Sequence, residues 1–322
     1  MGCIMSVKSM VAQILERNIG QAVSGQELAD GLGVSRAAVW KAVKQLQGQG
    51  YRIAAGRNRG YVLLPDTDVL SEGGIRLHLS EQYRDVPVEV LQTVDSTNSA
   101  AKAAALNGMP HGTIIAADGQ TSGRGRLGKS FYSPPQTGLY MSVILKPDIP
   151  LSDSTLLTAA AACAVTDSIL QLCGVQARIK WVNDIFCSDR KVCGILTEAI
   201  SDFESGTAET VIVGIGLNIS TEDFPDSLRD IAGSLGASVQ RSRSCADIAC
   251  RLLEYSQHLD SPEMMEKYRS RSMVLGRRIS FEQRGRLRTG RAVGIDDCGC
   301  LVVETDEGRE ILRAGGISLL PE

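Results

Sequence analysis

A glycine-rich basic segment at residues 123–129, Gly-Arg-Gly-Arg-Leu-Gly-Lys, constrains the fold more than any other stretch of the chain. Its glycines permit positive φ and a close approach of the backbone to a ligand. Its two arginines and one lysine can form charge-assisted hydrogen bonds with an anion such as phosphate. The flanking stretches 112–117 and 139–145 are apolar and partly β-branched, which predicts strands. The sequence therefore predicts an anion-binding loop between two strands.

The same segment matches the P-loop pattern through Ser130. A P-loop also needs a helix directly after its lysine, because the helix N-terminus helps to bind the phosphate. Pro134 and Pro135 follow closely, and proline lacks a backbone donor and biases the preceding residue away from the helical region. We therefore reject a P-loop. A solvated Gly/Arg linker is the other alternative, and the strand signals on both sides weigh against it.

Composition limits the remaining choices. A chain of 322 residues is long enough for two or three domains. Its nine cysteines form no CxxC pair and its three histidines lie far apart in the sequence, so we expect neither a metal site nor a histidine-dependent triad. We expect a cytoplasmic protein with free thiols and no membrane association, because no secretion signal is visible and no apolar run reaches the length of a bilayer span.

The first 64 residues are basic, with eight cations and three anions, although the whole chain has a net charge of −3. Such asymmetry is typical of a segment that binds nucleic acid. Ser24 and Glu27 predict a capping box on a short helix, and Ser35 predicts the cap of a longer helix over 36–47. Two short strands around 55–59 predict a wing. The segment therefore predicts a winged helix-turn-helix, and the side chains expected to contact DNA are Arg36, Lys41, Lys44, Arg57 and Arg59.

Two further stretches predict a ligand site and a domain. Residues 95–98, Asp-Ser-Thr-Asn, lead into an alanine-rich helix predicted over 99–106. Four capping-type residues exceed what one helix start requires, so some can offer hydroxyl and amide groups to a small polar ligand; a simple N-cap is the other interpretation. From residue 277 onward, short strands separated by turns predict a small β-barrel.

Taken in order, the motifs of the chain resemble the family of bifunctional biotin–protein ligases and biotin-operon repressors, over nearly the whole length. Within the ligase core the matching motifs are 95–98, Gln120, 123–128, 180–184, 189–191, 194–196 and 214–218. Each motif is weak alone, whereas the ordered set is specific. Three positions depart from the family pattern: Val182 replaces a usual proline, Lys129 a common arginine and Phe131 a common tryptophan.

The resemblance implies two half-reactions, in which biotin and ATP first give biotinyl-AMP and the biotinyl group then passes to a lysine of a biotin carboxyl carrier protein of acetyl-CoA carboxylase. It assigns biotin binding to Ser96, Thr97, Asn98, Gln120, Arg124, Gly125, Arg126, Lys191 and Gly194. It assigns ATP binding to Lys129, Phe131, Lys180, Asn183 and Asn218, and catalysis to Arg124, Arg126, Lys180, Asp184 and Lys191. Mg²⁺ is expected to arrive with ATP, operator DNA is the expected nucleic acid, and a homodimer is the expected assembly.

The expected fold is α+β with three domains. These are an N-terminal winged helix-turn-helix at 1–65, a central mixed α/β ligase domain at 66–271 and a small SH3-like β-barrel at 272–322. Three alternatives stay open: a ligase whose DNA-binding domain regulates nothing, a transcription factor that only senses a small molecule, and a lipoate ligase of related fold. The phosphate-directed cations argue against the sensor, and the loop at 123–128 favours biotin over lipoate.

Overall fold

The predicted helix caps form at the N-terminus of the chain. The computed structural model describes residues 6–56, 60–147, 149–150, 154–201, 207–236, 239–283 and 285–320. Ser24 and Glu27 make the reciprocal hydrogen bonds of a capping box, Ser35 accepts a hydrogen bond from the Ala38 backbone N–H, and Gly33 ends the shorter helix at φ 64°. The chain divides into two compact units, one of residues 1–84 with 238–246 and the other of residues 85–237 with 247–322.

The N-terminal unit is a winged helix-turn-helix. Its elements are α1 (Val7–Arg17), β1 (Ala22–Val23), α2 (Gly25–Leu32), α3 (Arg36–Gly48), β2 (Ile53–Gly56), β3 (Gly60–Leu63) and α4 (Glu72–His78). The three strands pair in the order β1-β3-β2. Gly60 has φ 74°, and a Cβ there would lie 2.5 Å from the Val23 carbonyl oxygen, so this position of the wing requires glycine.

A buried carboxylate lies in this unit. Glu16 is 8% exposed. Its Oε1 accepts hydrogen bonds from the Tyr51 hydroxyl at 2.8 Å and the Ser71 hydroxyl at 2.6 Å, and its Oε2 has no partner among the described residues. Burial raises the pKa of Glu16, and the two hydrogen bonds only partly oppose this.

The second unit is built on a mixed sheet. Its strands are β4 (Val88–Val94), β5 (Ile114–Gln120), β6 (Gly138–Leu145), β7 (Ile149–Pro150), β8 (Arg178–Lys180), β9 (Asp184–Cys187), β10 (Arg190–Ser201) and β11 (Thr207–Asn218). They pair in the order β4-β5-β6-β11-β10-β9-β8, with β7 beside β11, and only β4 and β5 run parallel. The helices are α5 (Thr97–Leu106), α6 (Ser154–Cys173) and α8 (Pro262–Ser270), and a further helix, α7, spans Arg241–Ser256.

Helices α5 and α6 cover opposite faces of this sheet, because successive strand residues point to opposite sides. Ala101 of α5 packs on Ile212 of β11, whereas Thr158 of α6 hydrogen bonds to Thr197 of β10 at 2.8 Å. Residues 194, 196 and 198 of β10 therefore share the face covered by α5. The basic loop at 123–129 belongs to this unit and lies between β5 and β6. No helix lies between the end of this loop and β6 in the described chain, which agrees with the rejection of a P-loop.

Helix α6 corrects one expectation from the sequence. It is 20 residues long with a mean hydropathy of 1.6 in its most apolar window, so by length and composition it could cross a membrane, the only described helix of which this is true. The expectation that no apolar run is long enough was therefore wrong. However, 67% of that window is buried inside the protein, and α6 packs against β9, β10 and β11, as the core helix of a globular domain does.

The C-terminal strands form one antiparallel sheet in the order β15-β14-β13-β12-β16. They are β12 (Arg278–Gln283), β13 (Arg286–Ile295), β14 (Leu301–Thr305), β15 (Gly308–Leu312) and β16 (Ile317–Leu319). In the turn before β14, the Gly299 carbonyl accepts a hydrogen bond of 2.9 Å from the Trp181 indole N–H. The eight described cysteines are free thiols. The predicted α+β fold, with its helix-turn-helix, central α/β region and strand-rich C-terminal region, is confirmed.

Glu16→Gln tests the energetic consequence of the buried carboxylate. Because the folded pKa lies above the ordinary value of 4.5, the folded state binds the proton more tightly than the unfolded state, and wild-type stability falls as pH rises above that value. The glutamine cannot titrate, so we expect the wild type to lose stability relative to the variant between about pH 5 and pH 8. The measurement is urea unfolding followed by circular dichroism at several pH values.

The matched control is Glu81→Gln, which changes a carboxylate that is 87% exposed in the same unit. A wild-type curve that keeps a constant offset from Glu16→Gln across this range would contradict the prediction.

Candidate active site and DNA-binding surface

One cavity in the second unit gathers every residue that the sequence assigns to biotin, ATP or catalysis. Its volume is about 360 Å³, within the usual range for small-molecule sites. The start of α5, the end of β5, the basic loop and strands β9 to β11 all contribute to it, as does the turn between β15 and β16. The predicted residues found in its lining are Ser96, Thr97, Asn98, Gln120, Arg124, Gly125, Arg126, Lys129, Phe131, Lys180, Asn183, Asp184, Lys191, Gly194 and Asn218.

Glycines on paired strands make room for an aromatic ring at the cavity. Gly194 of β10 lies opposite Gly216 of β11. A Cβ at Gly216 would lie 2.6 Å from the Phe131 ring, and one at Gly194 would lie 3.2 Å from it. The ring of Phe131 also meets Tyr140 edge-on, with centroids 6.5 Å apart. Phe131 is therefore fixed against the sheet and presents an aromatic surface to the cavity.

The cavity is strongly cationic. Five cations line it, Arg124, Arg126, Lys129, Lys180 and Lys191, together with a single carboxylate, that of Asp184. Asp184 pairs with Lys191 at 2.7 Å. Burial lowers the pKa of Lys180, and the nearby charges of Lys191 and Lys129 add to this effect while Asp184 opposes it. Clustered and partly desolvated cations of this kind favour binding of a polyanion.

Both arginines of the basic loop form hydrogen bonds with residues outside the loop. Arg126 donates a hydrogen bond to Asn183 Oδ1 at 3.3 Å, and Asn183 is itself anchored by donating to the Ile195 carbonyl at 2.8 Å. Arg124 donates to the Ser99 hydroxyl at 3.1 Å and lies 3.6 Å from Glu198. Their guanidinium groups are therefore positioned at the cavity without a ligand. The Trp181–Val182 peptide, at the position where the family pattern has proline, is cis.

One buried polar atom in the cavity lacks a partner in the described part of the chain. Asn218 is 4% exposed; its Nδ2 donates to the Gly233 carbonyl at 3.0 Å, but its buried Oδ1 accepts nothing. A buried polar atom without a partner costs free energy, and a polar ligand in the cavity would remove this cost. Asn218 Oδ1 thus points to a ligand. Ser96, at the start of α5, is 3% exposed, and its side chain does not cap the helix.

Sequence reasoning missed part of the cavity wall. Phe224, Leu228 and Ile231 supply apolar surface from the loop after β11, and Gly315 and Gly316 supply backbone from the C-terminal sheet. No local pattern identifies them, because an apolar loop residue or a glycine pair is common in any chain. Their proximity to the cavity arises only from the tertiary fold.

The predicted DNA-binding helix is α3, and it presents Arg36, Lys41 and Lys44 on its exposed side. Arg57 and Arg59, predicted on the wing, lie outside the described residues. The sequence prediction missed Trp40, which is 57% exposed and lies one helical turn from both Arg36 and Lys44. The spacing of four residues to each cation was the available signal.

The chain thus combines a winged helix-turn-helix with a cationic, aromatic-walled α/β cavity that suits a phosphate-bearing ligand. Three family models match: "HTH domain" at residues 9–62, "Biotin/lipoate A/B protein ligase family" at 90–218, and "Biotin protein ligase C terminal domain" at 274–320.

Whole-chain relatives agree. The bifunctional ligase/repressor BirA of Bacillus spizizenii is 37% identical over 92% of this chain and 94% of its own length. That of Escherichia coli is 27% identical over 93% and 94%. A solved structure of the Aquifex aeolicus biotin protein ligase, in complex with biotin and ATP, is 28% identical with a TM-score of 0.62, covering 73% of this chain and 99% of that one.

This chain belongs to the family of bifunctional biotin–protein ligases and repressors. The family resemblance drawn from the ordered motifs is confirmed.

Proposed function

We propose that this chain joins biotin to a carrier-protein lysine at the cationic cavity and that its winged helix-turn-helix binds operator DNA. The observation that supports the first part most strongly is the cavity itself. It combines a buried polar atom that lacks a partner among the described residues, Asn218 Oδ1, with five cations and an aromatic wall. A ligand that satisfies all three features needs polar ring atoms, phosphates and a flat base, as biotin and ATP together provide.

In the first half-reaction, an oxygen of the biotin carboxylate attacks the α-phosphorus of ATP. A new O–P bond forms, the bond to pyrophosphate breaks, and pyrophosphate leaves. We assign Arg124, Arg126 and Lys180 to hold the carboxylate and phosphates together, since catalysis here requires positioning and charge stabilisation rather than a covalent nucleophile. Lys129 and Lys191 add positive charge, and Phe131 offers a face for the adenine. Asn183 and Asn218 serve the nucleotide.

In the second half-reaction, the amine of the carrier lysine attacks the acyl carbon of biotinyl-AMP. The C–O bond to AMP breaks as the C–N bond forms, and the amine loses a proton. Among the described residues, Asp184 supplies the only carboxylate of the cavity lining, and we assign it as the base that accepts this proton. Its contact with Lys191, 2.7 Å away, holds it in place.

Mg²⁺ accompanies ATP in this proposal. No group of three His, Cys, Asp or Glu side chains that could hold a metal ion occurs among the described residues, so the ion would be bound through phosphates and water, as Mg²⁺ often is. It would neutralise phosphate charge. The protein groups that hold the phosphates are the cavity cations.

The remaining assignments are also proposals. We propose a cytoplasmic homodimer with no membrane association, and domains at residues 1–65, 66–271 and 272–322. The compact N-terminal unit extends further, to residue 84.

The ligase proposal is tested by incubating the purified protein with biotin, MgATP and a biotin carboxyl carrier domain. The carrier should gain the mass of one biotinyl group, and omission of ATP should abolish the gain. Substituting lipoate for biotin checks the related alternative. A carrier of unchanged mass with biotin and a modified carrier with lipoate would sink the proposal.

Arg126→Gly should weaken retention of biotinyl-AMP more than its formation. The variant removes a half-buried guanidinium beside Asn183 and Asp184 and adds a fourth glycine to the loop, which makes loop closure costlier. A charge-assisted hydrogen bond is worth about 1.5–3 kcal/mol, so the off-rate of the intermediate should rise about tenfold to a hundredfold. Lys180 and Lys191 remain to support adenylation.

The measurements are the intermediate off-rate and the labelling of bystander lysines, with Arg84→Gly as the control for loss of an exposed arginine. An unchanged off-rate, or complete loss of adenylation, would show that Arg126 acts in another way.

Trp40→Ala should reduce selective binding to operator DNA more than binding to random DNA. Arg36 and Lys44 flank Trp40 on α3 and suit phosphates or guanine edges, whereas the exposed indole suits the apolar methyl group of thymine in the major groove. Loss of one base contact should cost about 1–3 kcal/mol of discrimination. The measurement is fluorescence anisotropy on labelled operator and random duplexes at one salt concentration.

Lys44→Ala is the matched control, and it should weaken binding to both duplexes. A uniform loss on both duplexes for Trp40→Ala would contradict a base-reading role.

A further inference from the structure

A chain of side-chain hydrogen bonds runs behind the cavity from Glu198 to Thr97. Glu198 Oε2 accepts from Asn98 Nδ2 at 2.6 Å. Asn98 Oδ1 lies 2.7 Å from the Ser142 hydroxyl, which lies 2.8 Å from the Thr97 hydroxyl. Asn98, Ser142 and Thr97 are all buried, and Glu198 is not among the residues that line the cavity.

The orientation of the Asn98 amide is fixed by two acceptors. Its Nδ2 also donates to the Leu196 carbonyl at 3.2 Å, and neither a carboxylate nor a carbonyl can donate in return. Nδ2 must therefore face β10, and Oδ1 must face Ser142. Gly214 permits this placement, since a Cβ there would lie 2.0 Å from Oδ1. Asn98, predicted to contact biotin, thus uses its whole amide within the protein.

The direction of the next hydrogen bond follows. Ser142 is the only described donor to Asn98 Oδ1, and its hydroxyl has a single hydrogen. If that hydrogen pointed to Thr97, Oδ1 would be a buried acceptor without a donor, which is costly. The Ser142 hydrogen therefore points to Asn98 and is not given to the Thr97 hydroxyl.

The other end of the chain is also fixed. Gln120 Oε1 accepts from the Thr97 backbone N–H at 2.8 Å and lies 3.3 Å from the Thr97 hydroxyl. Its Nε2 donates to the Ser133 hydroxyl at 2.9 Å, which donates to the Phe131 carbonyl. The Thr97 hydroxyl thus donates to Gln120 Oε1, while the Ser142 hydrogen is used on Asn98. Its hydroxyl hydrogen is used within the protein, and only its lone pairs face the cavity.

We infer that Glu198 is a positioning residue that makes Thr97 Oγ1 an acceptor for an N–H of the bound ligand, namely a ureido N–H of biotin. The inference rests on the proposed biotin site and adds a structural reason why this site would select biotin over other carboxylic acids. A carboxylate behind the sheet fixes the donor and acceptor pattern at the ligand through Asn98 and Ser142. A carboxylic acid that lacks ureido N–H groups gains nothing from this arrangement.

Glu198 also lies 3.6 Å from Arg124, so its replacement can act by a second route. Glu198→Gln changes both routes, since it replaces the charged acceptor of Asn98 Nδ2 by a neutral amide and can no longer form an ion pair with Arg124. Ser142→Ala breaks only the chain to Thr97. Thr97→Val removes the receiving hydroxyl while keeping the shape of the side chain. The double variant Glu198→Gln with Thr97→Val completes a cycle that separates the routes.

The experiment measures biotin KM, ATP KM and kcat for the full chain and these variants. We expect Glu198→Gln and Ser142→Ala each to raise biotin KM about tenfold, the loss of about one hydrogen bond, with ATP KM and kcat within about twofold. In the Thr97→Val background, Glu198→Gln should cause no further rise.

Three results would separate the possible failures. An additive effect of Glu198→Gln in the Thr97→Val background, or a Ser142→Ala variant with normal biotin KM, would show that Glu198 acts through Arg124 and overturn the inference. A Thr97→Val variant with normal biotin KM would overturn the proposed biotin site itself. If Ser142→Ala does not fold, the cycle of Glu198 with Thr97 still decides, because Glu198 is partly exposed and glutamine has its shape.

Discussion

The cavity depends on glycines, which have no side chain, at three positions of two paired strands. Gly194, Gly214 and Gly216 lie on the face of the sheet where the register places Gly194 opposite Gly216. Any Cβ at Gly216 would meet the Phe131 ring, and one at Gly214 would meet the Asn98 amide. An aromatic wall and a polar network therefore approach the same stretch of backbone closely. The glycines cost conformational freedom on folding, and the contacts of Phe131 and Asn98 offset that cost.

The cations around the cavity are placed so that an anionic ligand would balance their charge. Five cations around one carboxylate repel one another, and burial disfavours the charge of Lys180 further. Phosphates relieve both effects at once, so the binding free energy of a nucleotide includes the removal of this repulsion. The contacts of Arg126 with Asn183 and of Arg124 with Ser99 hold the loop arginines at the cavity, which lowers the ordering cost of binding.

Local chemistry could be predicted from the sequence and long-range placement could not. The capping box at Ser24, the basic loop and the ordered ligase motifs depend on neighbouring residues, so their structure follows from short stretches. Glu198 and Phe224 can be recognised as parts of the site only in the folded structure, because strands and loops far apart in sequence bring them there. Trp40 was missed for a different reason: charge identifies the cations of α3, and an exposed aromatic side chain beside them carries no charge. Helix α6 was missed as an apolar span because its alanines make it less conspicuous than a leucine-rich run.

The buried polar groups of the two units differ in how completely they are satisfied, and this difference matches their roles. In the cavity, Asn98 is fully bonded and can fix geometry, whereas Asn218 Oδ1 is left for a ligand. In the N-terminal unit, Glu16 keeps one oxygen without a partner among the described residues. An orphaned atom in a cavity is relieved by ligand binding. Burial raises the pKa of the Glu16 carboxyl, so protonation relieves the buried charge and couples the stability of the DNA-binding unit to pH.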